Sequence, residues 1–274
     1  MSFPAIHIRN MDGLEYMQQY VADGSINLIL TDPPYIISKP TGMNTHYNNV
    51  QNGNIQKTAE EWEIYKRKHH ILNDNGKENY LQYGSIYGKK YCIQTMFGKW
   101  DEEFTVDLLD EYIANYYKKL KSGGTLILFC DLWKITLIRH MFEMHNFKQI
   151  RFIEWIKTNP VPRNSKINYL TNCREIAVVG IKHSKPTFNS SFDKGIYHLP
   201  IPAKNLCHHP NQKNLTLFES LVKKHSHEND IVMDTFLGSG TTLFACMNTN
   251  RQFRGCEIEP SYFKKIEEML VVQK

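Results

Sequence analysis

Long apolar runs are missing from this 274-residue chain; the strongest, such as Leu126 to Phe129, falls far short of the roughly 20 residues of a membrane-spanning helix. The opening Met1-Ser2-Phe3-Pro4 has no basic cluster and no apolar core behind it, so no signal peptide is expected. Cysteine is sparse and scattered: residues 92, 130, 173, 207, 246 and 256 include no C-x-x-C pair. That excludes a disulfide scaffold and points to reduced thiols in the cytoplasm. Charge of one sign is lacking too. The 33 Lys+Arg against 28 Asp+Glu leave +5, which permits a polyanionic partner without requiring one. With 15 Gly and 11 Pro, and no internal repeat, collagen-like and solenoid chains are excluded. What remains is 41% hydrophobic and 22% charged, the mix of a soluble globular protein with one large α/β domain or two small ones.

Short apolar runs alternate with helical patterns, which predicts a parallel sheet covered by helices. Strands are expected at Ala5–Arg9, Ile26–Leu30, Thr125–Phe129, Ile231–Met233 and Gln252–Ile258, and a hairpin from Gln149–Lys157 and Arg174–Lys182. Helices are expected at Gly13–Val21, Glu102–Leu120, Lys134–His145, Leu215–His225, Thr241–Asn248 and Tyr262–Val272, with Gly123-Gly124 turning the chain into a strand.

Residues 36–99 break this rhythm. An Asn/Gly-rich stretch, Asn44 to Asn54, reads as loop, and Thr58-Ala59-Glu60-Glu61 is a capping box ahead of a helix to about His70. The segment holds nine Lys/Arg, five Asp/Glu and eight aromatics (Tyr47, Trp62, Tyr65, Tyr80, Tyr83, Tyr87, Tyr91 and Phe97), so four of the five net positive charges lie there. Two readings stand side by side. Basic groups between rings suit nucleic acid, with Lys66, Arg67 and Lys68 on phosphates. The same composition also suits a small helical subdomain with a Tyr-rich core and a solvated face.

Two motifs carry chemistry. Thr31-Asp32-Pro33-Pro34-Tyr35 directly follows the strand Ile26–Leu30, where open parallel sheets place their sites. The two prolines fix φ and remove two amide donors, which leaves the Pro33 carbonyl beside the Asp32 carboxylate as paired acceptors. An exocyclic amine has two N–H groups for such a pair, and Tyr35 offers a ring for the base that bears it. A plain Pro-Pro turn is the alternative. The second motif is Asp234-Thr235-Phe236-Leu237-Gly238-Ser239-Gly240-Thr241-Thr242. Leu243 spoils both the phosphate loop, which needs Lys, and the full dinucleotide fingerprint, which needs Gly. A G-x-G at a helix start still attracts a carboxylate. Glu257 closes the next strand, where an acid accepts ribose hydroxyls. A nucleoside with an amino-acid tail fits better than a dinucleotide, and S-adenosylmethionine has that shape.

Together these residues resemble the beta class of exocyclic-amino DNA methyltransferases, in which D-P-P-Y precedes F-x-G-x-G, here Phe236, Gly238 and Gly240. The resemblance covers most of the chain outside 36–99. It extends to Phe97-Gly98-Lys99-Trp100-Asp101, to Trp155 through Asn164, and to His209-Pro210-Asn211-Gln212-Lys213, which is similar to H-P-T-Q-K-P with Asn211 for Thr and Asn214 for the last Pro. Asp234 matches the acid of the Gly-rich motif, while Thr235 replaces the commoner Pro. The resemblance implies a Rossmann-like α/β fold: a mostly parallel twisted sheet with a β-hairpin edge and helices on both faces. It implies a single methyltransferase domain over 1–274, with the inserted basic and aromatic subdomain at about 36–99 and a target-recognition segment at about 182–209.

The expected activity is methyl transfer from S-adenosylmethionine to adenine N6 in duplex DNA, on a flipped base, within a restriction-modification system. Asp32, Pro33, Pro34 and Tyr35 form the expected catalytic set. Asp12, Thr31, Asp32, Lys213, Asp234, Phe236, Gly238, Ser239, Gly240, Thr241 and Glu257 are expected at the cofactor, Asp12 through the adenine amino group of the cofactor. Lys66, Arg67, Lys68, Lys157, Asn159, Pro160 and Arg163 are expected at DNA. A homodimer and a cognate restriction endonuclease are the protein partners implied. Plainer readings make Trp100 and Trp155 core aromatics, His209 and Lys213 a helix start, and Asn159-Pro160-Val161-Pro162 a rigid loop. Adjacent Cys207-His208-His209 cannot easily converge on one ion, so no metal is expected. The rivals are cytosine N4, whose enzymes more often carry Ser in place of Asp32, methylation of RNA, protein or a small molecule, and a DNA-binding subunit with a decayed site. Cytosine C5 needs a Cys nucleophile, and the chain has no Pro-Cys dipeptide.

Overall fold

The computed structural model describes residues 4–35, 49–50, 52–86, 104–161, 169–183, 185–203 and 212–272. Outside them lie Arg163 with Pro162 and Asn164, the Phe97–Asp101 motif, Cys207 through Asn211, and the aromatics Tyr47, Tyr87 and Tyr91. The chain divides into two compact units, Met1–Pro33 with Asp107–Lys274, and Pro34–Val106.

The larger unit is built on one eight-stranded sheet: β1 (Ile6–Asn10), β2 (Ile26–Thr31), β3 (Leu120–Cys130), β4 (Phe147–Lys157), β5 (Arg174–Lys182), β6 (Ile196–Leu199), β7 (Ile231–Asp234) and β8 (Gln252–Glu257), in the order β1-β8-β7-β2-β3-β5-β4-β6. Its pairings are parallel except those of β5, which runs against both β3 and β4. In β2, residues Leu28 to Thr31 are all buried. Successive strand side chains point to opposite faces, so both faces of the sheet are covered there.

Side-chain caps set the start of two helices of this unit. Asp12 caps α1 (Gly13–Tyr20) through the amides of Leu14 and Glu15. Asn214 caps α6 (Leu215–His225) through Leu217, and Lys223, Lys224 and His225 complement its C-terminal end. Between them in sequence come α4 (Val106–Lys119) and α5 (Ile135–Met144), the latter entered through a 3₁₀ turn at Leu132–Lys134. Last come α7 (Thr241–Asn248) and α8 (Pro260–Val272). Stacked Phe129 and Phe218, with centroids 5.4 Å apart, pack α6 on β3.

Three differences from the sequence expectation have physical causes. Gly123-Gly124 does not end a turn but sits inside β3. The β2–β3 register jumps from Ile26↔Leu120 to Leu28↔Thr125, and Gly123 takes φ +80°, so the glycines form a bulge. Helix α8 starts at Pro260 instead of Tyr262, because proline at the first helical position loses no intrahelical bond. Finally β6, which pairs in parallel with β4 outside the antiparallel β4–β5 pair, was not expected; four residues, Ile-Tyr-His-Leu, give no periodicity to read.

The smaller unit contains α2 (Ala59–Lys68) and α3 (Lys77–Tyr83). The capping box forms as expected, with Thr58 and Glu61 exchanging bonds. Trp62 is fully buried, Tyr80 is nearly so, and the Tyr65 ring lies 4.6 Å from that of Tyr80 and 6.0 Å from that of Trp62. These three rings make a core, not a stacking surface. Lys66 binds Asp74 at 2.7 Å and Glu63 at 3.1 Å, which takes it out of the expected phosphate cluster, while Arg67 and Lys68 are exposed.

Candidate active site

Along the sheet, β2 continues to its neighbour β3 on one side and β7 to its neighbour β8 on the other. The carboxyl ends of β2 and β7 therefore flank the point where the connections reverse, the usual crevice for a ligand in open α/β sheets. At these ends stand Thr31 with Asp32, Asp234, and on β8 Glu257.

The Gly-rich loop is locked to its neighbours by two acids. Asp234, 3% exposed, accepts from the Thr31 hydroxyl at 2.7 Å, the Phe236 amide at 3.0 Å and the Thr242 hydroxyl at 2.6 Å. Burial pushes its pKa up to about 6, although these three donors pull the other way. Asp234 and Thr31 thus bind each other and clamp β2 to β7. Glu257, 7% exposed, accepts from the Gly238 amide at 2.7 Å and the Glu259 amide at 2.8 Å; burial raises its pKa and those amides offset part of the rise. Gly240 takes φ +78°, and a Cβ there would meet the Phe244 ring at 3.0 Å, so the helix entry requires glycine. The hydroxyls of Ser239 and Thr241 lie 2.9 Å apart across the loop.

Helix α4 adds two tyrosines that sequence reading did not single out. The Tyr112 hydroxyl donates to Asp12 at 3.2 Å and its ring packs 4.9 Å from Phe236, while the Tyr116 hydroxyl meets that of Thr235 at 2.5 Å. Burial raises both phenol pKa values, so each stays a neutral hydrogen-bonding group. Only their spacing of four on an amphipathic helix hinted at a shared face.

Asp32 meets Lys213, whose ammonium lies 2.7 Å from its Oδ2 and 2.8 Å from Glu175 Oε2. Lys157 in turn meets Glu175 Oε1 at 2.6 Å. Sequence reading grouped Lys213 with the cofactor residues and Lys157 with DNA; the structure puts both in one chain of charges leading to Asp32. The Lys213 side chain is 7% exposed. Burial would lower its pKa, but Asp32 and Glu175 raise it further than burial lowers it. Glu175 shows the mirror image: burial favours its neutral form, and Lys213 and Lys157 together hold it below the usual carboxylate range. Glu175 was missed because one acid at the mouth of an apolar strand reads as a strand end.

Two other expected DNA contacts have partners within the protein or are partly covered by it. Asn159 exchanges bonds with the backbone of Ile201, at 2.6 and 3.3 Å, and Pro160 beside it is partly buried. Trp155 is 1% exposed and donates to the Leu199 carbonyl at 2.8 Å, a core residue. Pro33 is buried, and Pro34 and Tyr35 begin the smaller unit.

Comparison with known proteins accords with this arrangement. The N6/N4 methyltransferase family model, described as DNA methylase, matches residues 26–268. Type II methyltransferase M2.MboI of Moraxella bovis is 26% identical over 92% of this chain and 82% of its own length. Type II methyltransferase M.HpaI of Haemophilus parainfluenzae is 28% identical over 90% of this chain and 69% of its own. Among solved structures, the M1.HpyAVI complex with S-adenosylmethionine superposes with a TM-score of 0.62 at 25% identity, covering 97% of this chain and 98% of that one. The cytosine-N4-specific PvuII DNA methyltransferase, at 15% identity and TM-score 0.59 over 95% of this chain and 86% of its own, shares the fold.

Proposed function

The chain belongs to the N6/N4 DNA methylase family, and from that membership we propose that it transfers a methyl group from S-adenosylmethionine to the exocyclic N6 of adenine in duplex DNA. The observation that carries this reading is the Asp32 carboxylate, fixed by Lys213 at the end of β2 next to the Gly-rich loop of β7.

The residues present suit S-adenosylmethionine. Glu257 has accepted two amides, and a carboxylate has about four acceptor sites, which leaves capacity for ribose hydroxyls. The N-terminus of α7 offers first-turn amides to the amino-acid carboxylate. Phe236 supplies a ring wall beside Tyr112. When bound, the cofactor supplies an electrophilic sulfonium methyl.

The target base leaves the duplex at a cost of a few kcal/mol in stacking and pairing. Asp32 and the Pro33 carbonyl accept its two amino hydrogens, and Tyr35 takes the face of the ring. Those bonds draw the nitrogen lone pair out of conjugation, and the new N–C bond forms in line as the C–S bond breaks. The proton then leaves the nitrogen along the Asp32 hydrogen bond to water. Asp32, where cytosine-N4 enzymes more often carry Ser, favours adenine. Arg67 and Lys68 of the unit Pro34–Val106 take phosphates, and the segment 182–209 reads the target sequence. A restriction endonuclease of the same specificity, a homodimer and a cytoplasmic location complete the reading. Among the described residues no helix is long and apolar enough to cross a membrane.

Asp32→Ala tests this reading. Methyl transfer should fall by orders of magnitude while S-adenosylmethionine affinity stays within about tenfold, since the missing partner is the target amine. Near-normal turnover would overturn it.

A further inference from the structure

Four side chains alternate in sign away from the proposed amine-binding carboxylate: Asp32, Lys213, Glu175 and Lys157, linked at 2.7, 2.8 and 2.6 Å. Their charges sum to zero. Lys213 lies against the Phe129 ring, 5.4 Å from its centroid, with little water to screen it. A buried ammonium with one carboxylate partner would hold that carboxylate tightly, because the pair has no solvent to compete for it. Here the ammonium is divided between two acids on different elements, Asp32 after β2 and Glu175 on β5, and Glu175 is itself held in place by Lys157 on β4.

We propose that Glu175 is a positioning residue for methyl transfer: Lys213 keeps Asp32 ionised, and by sharing that ammonium Glu175 holds it in place and leaves part of the Asp32 acceptor strength to the target amine. This rests on Asp32 being the amine acceptor. Glue between β4, β5 and the approach to α6 would explain the same distances, but it predicts only a stability loss. Sharing predicts that the ionisation of Asp32 responds to each member with a defined sign.

The readout is single-turnover transfer from labelled S-adenosylmethionine to unmethylated genomic DNA as a function of pH, with calorimetric S-adenosylmethionine affinity alongside. Activity that needs the Asp32 carboxylate rises with pH through its pKa. Asp32 is faced by Lys213, by Asp234 at the end of β7 and by Cys130 at the end of β3. Asp234 and Cys130 are present in every variant and cannot produce shifts of opposite sign. Glu175→Gln gives Asp32 the whole ammonium, so the acid limb should move down by about 0.5–1 unit, with a lower plateau rate. Lys213→Met removes the ammonium, so the limb should move up by about 1 unit or more. Lys157→Met lets Glu175 draw Lys213 away from Asp32, which should move the limb up by a smaller amount. Cofactor affinity should stay within about twofold for Glu175→Gln and Lys157→Met.

If Lys213→Met does not accumulate folded, the other two decide, since their side chains are 18% and 19% exposed and their shifts must be opposite. Unmoved limbs, or limbs that move the same way, overturn the sharing role while Asp32 stands. A wild-type protein without transfer, or an active Asp32→Ala, rejects both.

Discussion

Asp234 shows how a single residue can organise the frame of a site. Its three donors come from β2, from the Gly-rich loop and from α7, and all three bonds are internal to the protein. Its folded pKa of about 6 lies above the ordinary 3.8. An acid shifted upward favours folding most when protonated, so its contribution is full below about pH 4 and is lost as the pH rises through about 6. A shift of that size corresponds to something on the order of 3 kcal/mol. Asparagine keeps the geometry: its oxygen accepts from Thr31 and Phe236, and its amide donates to Thr242, whose own hydrogen turns to the Leu30 carbonyl at 3.3 Å. Asp234→Asn should therefore be at least as stable as wild type at about pH 7.5, and its Tm should change less between about pH 5 and pH 7.5. An unchanged pH slope of Tm would show that Asp234 titrates in its ordinary range. At this scale the sequence marked candidate residues for the chemistry, through D-P-P-Y, the Gly-rich run and Glu257, and the fold brings Asp32, the Gly-rich loop and Glu257 to neighbouring strand ends. The sequence did not tell their partners. Lys213 meeting Asp32, and Glu175 behind it, are pairings between distant stretches of chain that only the folded sheet brings together.

Elements were more legible than partners, for a local reason. Helix α6 occupies the expected bounds because its Asn214 cap, apolar period and terminal basic residues all lie within a dozen residues, and α7 because the left-handed Gly240 marks its start. The β3 bulge and β6 were not legible, because pairing with β2 and β4 defines them. The basic helix α2 is the instructive middle case. Its start was written in the capping box, but the partners of its rings and charges are set by tertiary packing: Trp62, Tyr65 and Tyr80 form a core, and Lys66 is tied to Asp74 and Glu63. The DNA-clamp proposal therefore narrows to Arg67 and Lys68. Replacing both by Ala should weaken binding to cognate and non-cognate DNA alike. It should also flatten the slope of log K against log salt by up to about 0.9 for each phosphate that is no longer neutralised. Lys66→Ala should leave that slope alone. The reverse pattern, or no change from the double variant, would make α2 a solvated face.

For the whole molecule, the alternation of apolar runs and helical periods sufficed for a mostly parallel sheet, since every strand but β6 announces itself locally. The order β1-β8-β7-β2-β3-β5-β4-β6 did not follow from it. That order makes β2 and β7 neighbours and so brings the two chemical motifs to one crevice. The shared fold of a cytosine-N4-specific enzyme shows that the architecture alone does not choose the base. The choice is assigned here to the Asp32 carboxylate and its charged support. The most direct measurement is to incubate the purified protein with methyl-labelled S-adenosylmethionine and unmethylated duplex DNA, digest the DNA to nucleosides and separate them. The account predicts label in N6-methyladenine, abolished by Asp32→Ala; label in N4-methylcytosine, or DNA left unlabelled by the wild-type protein, would contradict it.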